Sequence, residues 1–469
     1  MLIPTLLLLF FTVFTIHSFG QTVSPDSYYK GITKIDPPET SSLYSFEEIN
    51  VDRSTGKIQV NVPIYTLSNG SYTLPLGFNY SGGGHKVAEI VNEFGLGWSF
   101  SGWGSMYRSV NGGFKDEDAS VGFHNNSQFR SDMMALADNP SGEFGTSTTQ
   151  ATISQLANND LAPDIFNYNI NGVTGKFHLL SDYSCYELEP SDNIVERVAD
   201  QHFKIIDTQG NQYVFGGGNS DYVAINLDGS GNVTGETYYI KSIISALQDT
   251  IDFVYSNVIS NTKTSFSSTK TLDYPVSASG YGSAVNTGSS TLIRRRELIS
   301  IHFSRGDFII SNGNNISLFN DSRVQSHKVF SLKDKNNNVI SKWHIGLGKE
   351  SSNIDERLKL IKIVIEGDDS SLQDYYSFDY NDSEILPSEN SYSRDYWGFA
   401  NGNSISNFIP TITEGGYTVY GADRNTNATK VLAEILQKVT YPTKGYSEFT
   451  YEPNDYYDGT YPNYSDQSV

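Results

Sequence analysis

Strict alternation of apolar and polar residues around a tight turn is the feature that most constrains what this chain can fold into. Apolar side chains occupy every second position over 58–64, and aromatic or apolar side chains do so over 72–80. Asn69-Gly70 lies between the two runs. A period of two places successive side chains on opposite faces of a strand, and Asn-Gly favours a two-residue hairpin turn. The segment therefore predicts a β-hairpin with one buried face.

Three further segments repeat this hairpin pattern. They span 203–215, 328–345 and 435–451, with turn residues at 208–211, 336–338 and 442–445. The stretch 430–438 also contains good helix formers, but the alternation that begins at Ile435 continues into the last hairpin. We therefore expect a strand from Ile435 onward.

Aromatic residues recur in pairs two positions apart, which places both rings of a pair on the same face of a strand. We expect these rings to lie in the core more often than on an exposed platform. With 31 Tyr, 26 Phe and 41 Gly, the composition favours short strands joined by turns. The prediction is an all-β fold of many antiparallel hairpins in a large sandwich-like or spiral architecture, with minor helix. The pairs are Phe78/Tyr80, Phe166/Tyr168, Tyr213/Phe215, Phe253/Tyr255, Phe378/Tyr380 and Phe449/Tyr451.

The N-terminus is typical of an export signal. Residues 2–16 are almost entirely apolar, and Ser18-Phe19-Gly20 offers small residues for cleavage before Gln21, although no Lys or Arg precedes the run. A retained N-terminal anchor is the alternative. We predict a signal peptide over 1–20 and a secreted or cell-surface product that does not span the membrane after cleavage. The single cysteine, Cys185, excludes a disulfide framework, and the net charge of −21 argues against a nucleic-acid partner.

Composition divides the chain into five regions. The signal peptide (1–20) precedes an N-terminal β-hairpin region (21–114). A polar excursion follows (115–159), with a helix-compatible patch near 131–136. A central β region (160–390) contains a flexible Ser/Thr/Gly-rich loop (256–290), and a C-terminal β-hairpin region (391–469) is expected to be truncated.

No motif for catalysis, cofactor binding or metal binding stands out, so we predict no catalytic, cofactor or metal residues and a chain that is not an enzyme. Glycosidase chemistry stays open because 53 acidic residues offer no single pair. The segment from Asp334 begins like a calcium loop, but Val339 and Ile345 stand where glycine and glutamate are required, so a polar hairpin turn is the better account. The segment from Asp228 fits calcium or a Gly-rich turn equally well. Arg294-Arg295-Arg296 is interpreted as a solvated strand edge rather than a binding patch.

Several segments together resemble the N-terminal region of Rhs/YD-repeat secreted proteins of the Bacteroidota. They extend over most of the chain, from Thr55 to Tyr456. The segments are 55–58, 63–65, 74–76, 78–80, 95–99, 163–166, 175–177, 203–207, 213–216, 357–360, 395–399, 401–402, 422–424, 440–442 and 445–456.

The resemblance implies a β-rich region that precedes Tyr-Asp repeats, which build a hollow shell around a variable cargo that is often a polymorphic toxin. This chain shows neither repeats nor cargo up to Val469, so we expect a fragment. We interpret it as a non-enzymatic structural or interaction module of an Rhs-like protein, a component of a toxin-delivery shell. Its partner would be the rest of that polypeptide or a cell-surface component. The alternative is a secreted carbohydrate-binding or carbohydrate-degrading β-protein, with a glycan as ligand.

Overall fold

The computed structural model describes residues 50–52, 54–138, 159–217, 220–270, 285–350, 356–367, 370–414 and 417–453. The predicted signal peptide lies outside these residues. The described residues form 26 strands, one α-helix and three short 3₁₀ helices, and all pairings between strands are antiparallel. The predicted all-β class with minor helix is confirmed. No helix in this part of the chain is long and apolar enough to cross a membrane.

The first ten strands lie between residues 50 and 206. They are β1 (Asn50–Val51), β2 (Ile58–Asn69), β3 (Tyr72–Gly82), β4 (Trp98–Ser101), β5 (Ser105–Ser109), β6 (Ile165–Ile170), β7 (Val173–Leu179), β8 (Cys185–Glu187), β9 (Ile194–Ala199) and β10 (His202–Ile206). Helix α1 (Ser127–Asp138) lies between β5 and β6, inside the predicted polar excursion. The predicted patch at 131–136 is therefore helical, and 139–158 lie outside the described residues.

The other strands complete the fold. They are β11 (Gln212–Gly216), β12 (Val223–Asp228), β13 (Val233–Ile244), β14 (Thr250–Tyr255), β15 (Ile259–Thr269), β16 (Val285–Arg295), β17 (Leu298–Phe303), β18 (Gly306–Asn312), β19 (Val324–Asp334), β20 (Val339–Gly348), β21 (Lys359–Glu366), β22 (Leu372–Tyr380), β23 (Ile412–Glu414), β24 (Tyr417–Val419), β25 (Leu436–Thr440) and β26 (Tyr446–Glu448). The 3₁₀ helices are Ser220–Tyr222, Ile316–Phe319 and Lys430–Leu432.

All four predicted hairpins are present, as β2–β3, β10–β11, β19–β20 and β25–β26. In the first, Val60 lies opposite Tyr80 and both side chains are buried, as the alternation predicts. A bulge between Pro63 and Tyr65 shifts the register, so that the remainder of β2 keeps apolar residues on the buried face.

Twenty of the strands form one branched network, and β13 is the branch point. Its first half pairs with β5 and β12, and its second half pairs with β11 and β14. The branch sheet has the order β8-β7-β6-β5-β13-β12-β16-β15. The main sheet has the order β9-β10-β11-β13-β14-β17-β18-β19-β20-β21-β22-β25-β26. The hydrogen-bonded pairings among the described strands close no barrel.

Seven hairpin connections use the same five-residue turn. The N–H of the first residue donates to the carbonyl of the fifth residue, and the N–H of the fourth residue donates to the carbonyl of the first. The fourth residue has a positive φ. This hydrogen-bond pattern is typical of a type I turn followed by a left-handed residue, a common connection between twisted antiparallel strands. The turns are 180–184, 207–211, 228–232, 245–249, 334–338, 367–371 and 441–445.

The principal core lies where β1–β4, the small sheet, pack on the main sheet. Phe78 stacks on Phe330 of β19 with ring centroids 5.6 Å apart, and Phe100 lies 5.1 Å from Phe330. Trp98 packs on Phe378 at 4.7 Å and donates from Nε1 to the Tyr380 hydroxyl at 2.7 Å. Both rings are buried in five of the six predicted pairs, whereas Phe449 and Tyr451 are half-buried, so the core interpretation is confirmed for those five.

The prediction of a flexible loop over 256–290 is wrong where the structure describes it. Strands β15 and β16 form an eleven-residue antiparallel ladder, Ile259↔Arg295 through Thr269↔Val285, and most of its side chains are exposed or half-buried. Backbone hydrogen bonds need no apolar side chains, so low hydrophobicity did not exclude a strand pair. Residues 271–284 are outside the described part, and the predicted region boundaries stay predictions.

Candidate functional site

An open cleft lies beside the C-terminal end of the main sheet. Its cavity measures about 390 Å³ and has mostly apolar walls. Gly84, with φ +77°, lets the chain after β3 approach closely, since a Cβ there would lie 3.1 Å from the Phe399 ring. The lining residues are Thr55, Gly56, Lys57, Gly82, Gly83, Gly84, Asp395, Trp397, Phe399, Thr426, Val431, Leu432, Ile435, Tyr451, Glu452 and Pro453.

Asp395 stabilises the turn that forms one wall of the cleft and that contains the exposed Trp397. Its Oδ1 accepts hydrogen bonds from the backbone N–H groups of Trp397, Gly398 and Phe399 at 2.8–2.9 Å. Its Oδ2 accepts from the Thr426 hydroxyl at 3.1 Å. The Asp395 carboxylate is fully buried, whereas the Trp397 side chain in the turn that it stabilises is 53% exposed. A tight turn therefore presents an indole at the rim of an apolar cavity.

Six of the segments that carry the Rhs resemblance come together in space, in two groups. Four of them contribute to the cleft or its walls, namely 55–58, 395–399, 422–424 and 445–456. Arg424 reaches the turn, because its Nη2 donates to the Asp395 carbonyl at 2.6 Å and its guanidinium lies 4.7 Å from the centre of the Tyr396 ring. Two other segments touch at the backbone, since Leu96 N–H donates to the Leu358 carbonyl at 2.8 Å.

A second cluster is charged and buried, and it lies at the base of the polar excursion. Arg108 of β5 donates from Nε to Asp164 at 2.7 Å and from Nη1 to Glu236 at 3.2 Å, and both of its Nη atoms bond Glu117. Lys115 donates to Glu236 at 2.5 Å. Buried acids need such partners, because an unpaired charge away from water is strongly unfavourable.

Three fully buried aspartates, Asp116, Asp160 and Asp164, adjoin this network, with ligand oxygens within 4.8 Å of one another. Burial raises the pKa of all three, and the charge of Asp164 adds to the effect on Asp116, whose pKa rises to about 7. Asp160 Oδ1 accepts from Ala162 N–H at 3.0 Å, whereas its Oδ2 has no hydrogen-bond partner. Sequence reasoning missed this cluster, although Asp164 lies in one of the segments of the Rhs resemblance.

Ser300, His302 and Asp307 form a chain that resembles a hydrolase triad. Ser300 Oγ lies 3.0 Å from His302 Nε2, and His302 Nδ1 lies 2.6 Å from Asp307 Oδ1. However, Ser300 is only 7% exposed, and its backbone pairs with β14 on one side and β18 on the other. An acyl-transfer site needs free N–H donors aimed at a developing oxyanion. We therefore interpret these residues as a polar cluster on the sheet.

Both segments considered for calcium form hairpin turns. Asp228 accepts from the N–H groups of Ser230 and Asn232 at 2.8 Å and from Asn232 Nδ2 at 3.0 Å. Asp334 accepts the same three hydrogen bonds, from the N–H groups of Asn336 and Asn338 and from Asn338 Nδ2. Their carboxylates are thus used by their own loops.

The arginine run at 294–296 differs from the predicted solvated edge. Arg296 is only 7% exposed, and its guanidinium donates to the carbonyls of Val223 and Ser256 at 3.1 and 2.7 Å. The reason is that β16 is an interior strand, paired with β12 as well as β15, so the end of the run turns into the protein.

Fold and sites together define an all-β protein built from antiparallel hairpins around aromatic cores, with a buried charge cluster at Arg108 and an open cleft at Asp395. No protein-family model matches the chain. No curated protein matches it either.

Solved structures of Tc toxin components match it in three dimensions. The crystal structure of TcdB2-TccC3 matches with a TM-score of 0.38 and 9% identity, over 71% of this chain and 16% of that chain. The Photorhabdus luminescens Tc holotoxin pore with the TccC3-D651A mutation matches with a TM-score of 0.36 and 10% identity, over 71% and 16%. This chain thus spans about one sixth of those chains, and similarity at this level carries no argument about its function.

Proposed function

We propose that the chain is a non-enzymatic structural and interaction module, the N-terminal part of a secreted or cell-surface Rhs-like protein that forms part of a toxin-delivery shell. The partner would be the remainder of that polypeptide or a cell-surface component. The observation that carries the proposal is the open edge of the main sheet at β26, next to the cleft.

Strand β26 has a neighbour on one side only among the described strands, namely β25. Hydrogen-bonded residues alternate along an antiparallel pair. Tyr441 N–H donates to the Gly445 carbonyl and Phe449 N–H donates to the Gln437 carbonyl, both at 2.8 Å, so 445, 447 and 449 face β25. The backbone groups of Tyr446 and Glu448 therefore point away from β25. An unpaired edge of this kind is a template for one more strand.

The cleft supports the same proposal. The chain leaves β26 and lines the cleft at Tyr451, Glu452 and Pro453, so a strand added at β26 would lie beside an apolar cavity. Exposed Trp397 at the rim offers a large apolar surface for contact.

The first test is the gene beyond the codon for Val469. We expect an open frame with Tyr-Asp repeats. In the longer product, hydrogen exchange at Tyr446 and Glu448 should be slower than in the present chain, because both amides gain acceptors. Glu448→Pro should abolish the added protection at Tyr446, while Glu196→Pro, in edge strand β9, should leave it unchanged. A stop codon followed by an unrelated gene, or equal exchange in both products, would contradict the proposal.

The second candidate function is glycan binding, and exposed Trp397 beside a cavity with Lys57 and Glu452 favours it. Indole faces stack on sugar rings, and the two charged side chains could bond hydroxyls. On a glycan array, the chain should then retain a defined glycan. Trp397→Ala should lose it, and Tyr186→Ala, which removes a 55% exposed ring elsewhere, should not. Absence of a selective glycan would leave the structural module as the better account.

A further inference from the structure

The three buried aspartates at the base of the polar excursion converge from separate parts of the chain. Asp116 precedes α1, whereas Asp160 and Asp164 lie just before β6. The Asp164 N–H donates to both oxygens of Asp116 at 3.0 and 3.1 Å, and the Asp116 N–H donates to Asp164 Oδ2 at 3.3 Å. Gly112 leaves space for the third aspartate, Asp160, because a Cβ at position 112 would lie 1.9 Å from Asp160 Oδ1.

One carboxylate oxygen in this cluster is left without a protein partner. Asp160 is fully buried, and its Oδ2 accepts no hydrogen bond. A buried polar atom without a partner is strongly unfavourable and is typically satisfied by an ion or an ordered water. His124 closes the site on another side, with Nε2 4.0 Å from Asp116 Oδ2 and 3.0 Å from the Leu179 carbonyl. Its Nδ1 is also buried and without a partner.

The charges around the site do not balance. Five carboxylates meet here, and three cationic side chains act on them, so the network carries an excess of two negative charges (five minus three) when all are ionised. The acids are Asp116, Glu117, Asp160, Asp164 and Glu236. The cations are Arg108, Lys115 and Arg130. One divalent cation would cancel this excess.

The donor atoms select the kind of cation. All three candidate ligands are carboxylate oxygens, which hard cations prefer, and their ligand atoms lie within 4.8 Å of one another. The ligands come from two segments of irregular structure, one with Asp116 and one with Asp160 and Asp164, and Ca²⁺ adapts to such geometry more readily than Mg²⁺, which demands a near-ideal octahedron.

We propose that Asp116, Asp160 and Asp164 form a Ca²⁺ site that binds the polar excursion to strands β5 and β6. The ion takes the free oxygen of Asp160 and oxygens of the other two aspartates. Arg108 keeps its bonds to Asp164 and Glu236 and holds the carboxylates in place.

Calorimetric titration of the purified, chelator-treated chain with CaCl₂ at pH 7.5 tests this site. We expect one Ca²⁺ per chain, a melting temperature that rises with CaCl₂ over its value in EDTA, and weaker binding of Mg²⁺. Asp160→Asn keeps the shape of the side chain and should weaken Ca²⁺ binding at least tenfold. In EDTA this variant should melt at or above the wild-type temperature, because it removes an unpaired buried charge.

Asp228→Asn is the matched control, since it changes a half-buried aspartate whose carboxylate is used by its own turn, and it should bind Ca²⁺ like the wild type. If Asp160→Asn fails to fold, as circular dichroism would show, Asp116→Asn is the second variant, with the same expected loss. A wild-type chain that binds no Ca²⁺ would overturn the site, because protons alone would then neutralise the cluster. Unchanged binding in the folded Asp160→Asn variant, or tighter binding of Mg²⁺ than of Ca²⁺, would also overturn it.

Discussion

Protonation of His327, one member of a buried histidine pair, should make the fold sensitive to mild acid. His327 of β19 and His344 of β20 are each 6% exposed, and His327 Nε2 lies 2.9 Å from His344 Nδ1. His344 Nε2 lies 2.8 Å from Glu366 Oε2, so it carries the proton donated to that carboxylate. His344 Nδ1 then accepts from His327 Nε2–H. The remaining atom, His327 Nδ1, is buried without a partner.

A second proton on His327 would therefore place an N–H group at Nδ1 with no acceptor. Burial, together with the nearby imidazole of His344, lowers the pKa of His327 from 6.5 to about 4. The unfolded chain thus binds more protons than the folded chain between these two values, and stability falls as the pH drops through that window. At pH 5 this difference in proton binding changes the unfolding equilibrium constant about 30-fold, which lowers the free energy of unfolding by about 2 kcal/mol. At pH 7.5 the effect on the free energy of unfolding is close to zero.

Urea denaturation at pH 7.5 and pH 5.0 measures this loss. His327→Gln retains a donor toward His344 but does not titrate, so the wild type should lose about 2 kcal/mol more than this variant between the two pH values. His302→Gln is the control, since that side chain is 47% exposed in the folded chain, and it should keep the wild-type difference. Equal losses in the wild type and His327→Gln would refute the reasoning.

Two further predictions concern the core and the single thiol. Phe330→Ala should lower the free energy of unfolding by about 3–5 kcal/mol, since the ring packs on both Phe78 and Phe308. Val254→Ala, at a 37% exposed position, should cost much less, and similar losses in denaturant titrations would contradict this packing. Partial burial raises the pKa of the Cys185 thiol to about 11, so its alkylation at pH 8 should be far slower in the folded chain than in urea, as mass spectrometry can measure. Equal rates would argue against the raised pKa.

Local patterns alone determined much of the fold. The period of two around Asn69-Gly70 predicted β2, β3 and the face that they bury, because alternation and turn propensity act over a few residues. The paired aromatics predicted the core rings for the same reason. Low hydrophobicity led to the wrong prediction of a loop over 256–290, because β15 and β16 pair there through their backbones with mostly polar side chains.

The sites were decided by the order of strands in the sheets. Asp116 meets Asp164 across 48 positions, and Arg108 meets Glu236 across 128, because β5 pairs with both β6 and β13. The cleft likewise joins residues near 55, 395 and 451. Strand order depends on which hydrophobic faces bury one another over long distances, and neither motif spacing nor composition contains that information. Local patterns therefore specify the hairpins and their buried faces, whereas long-range strand pairing sets which charges and rings meet.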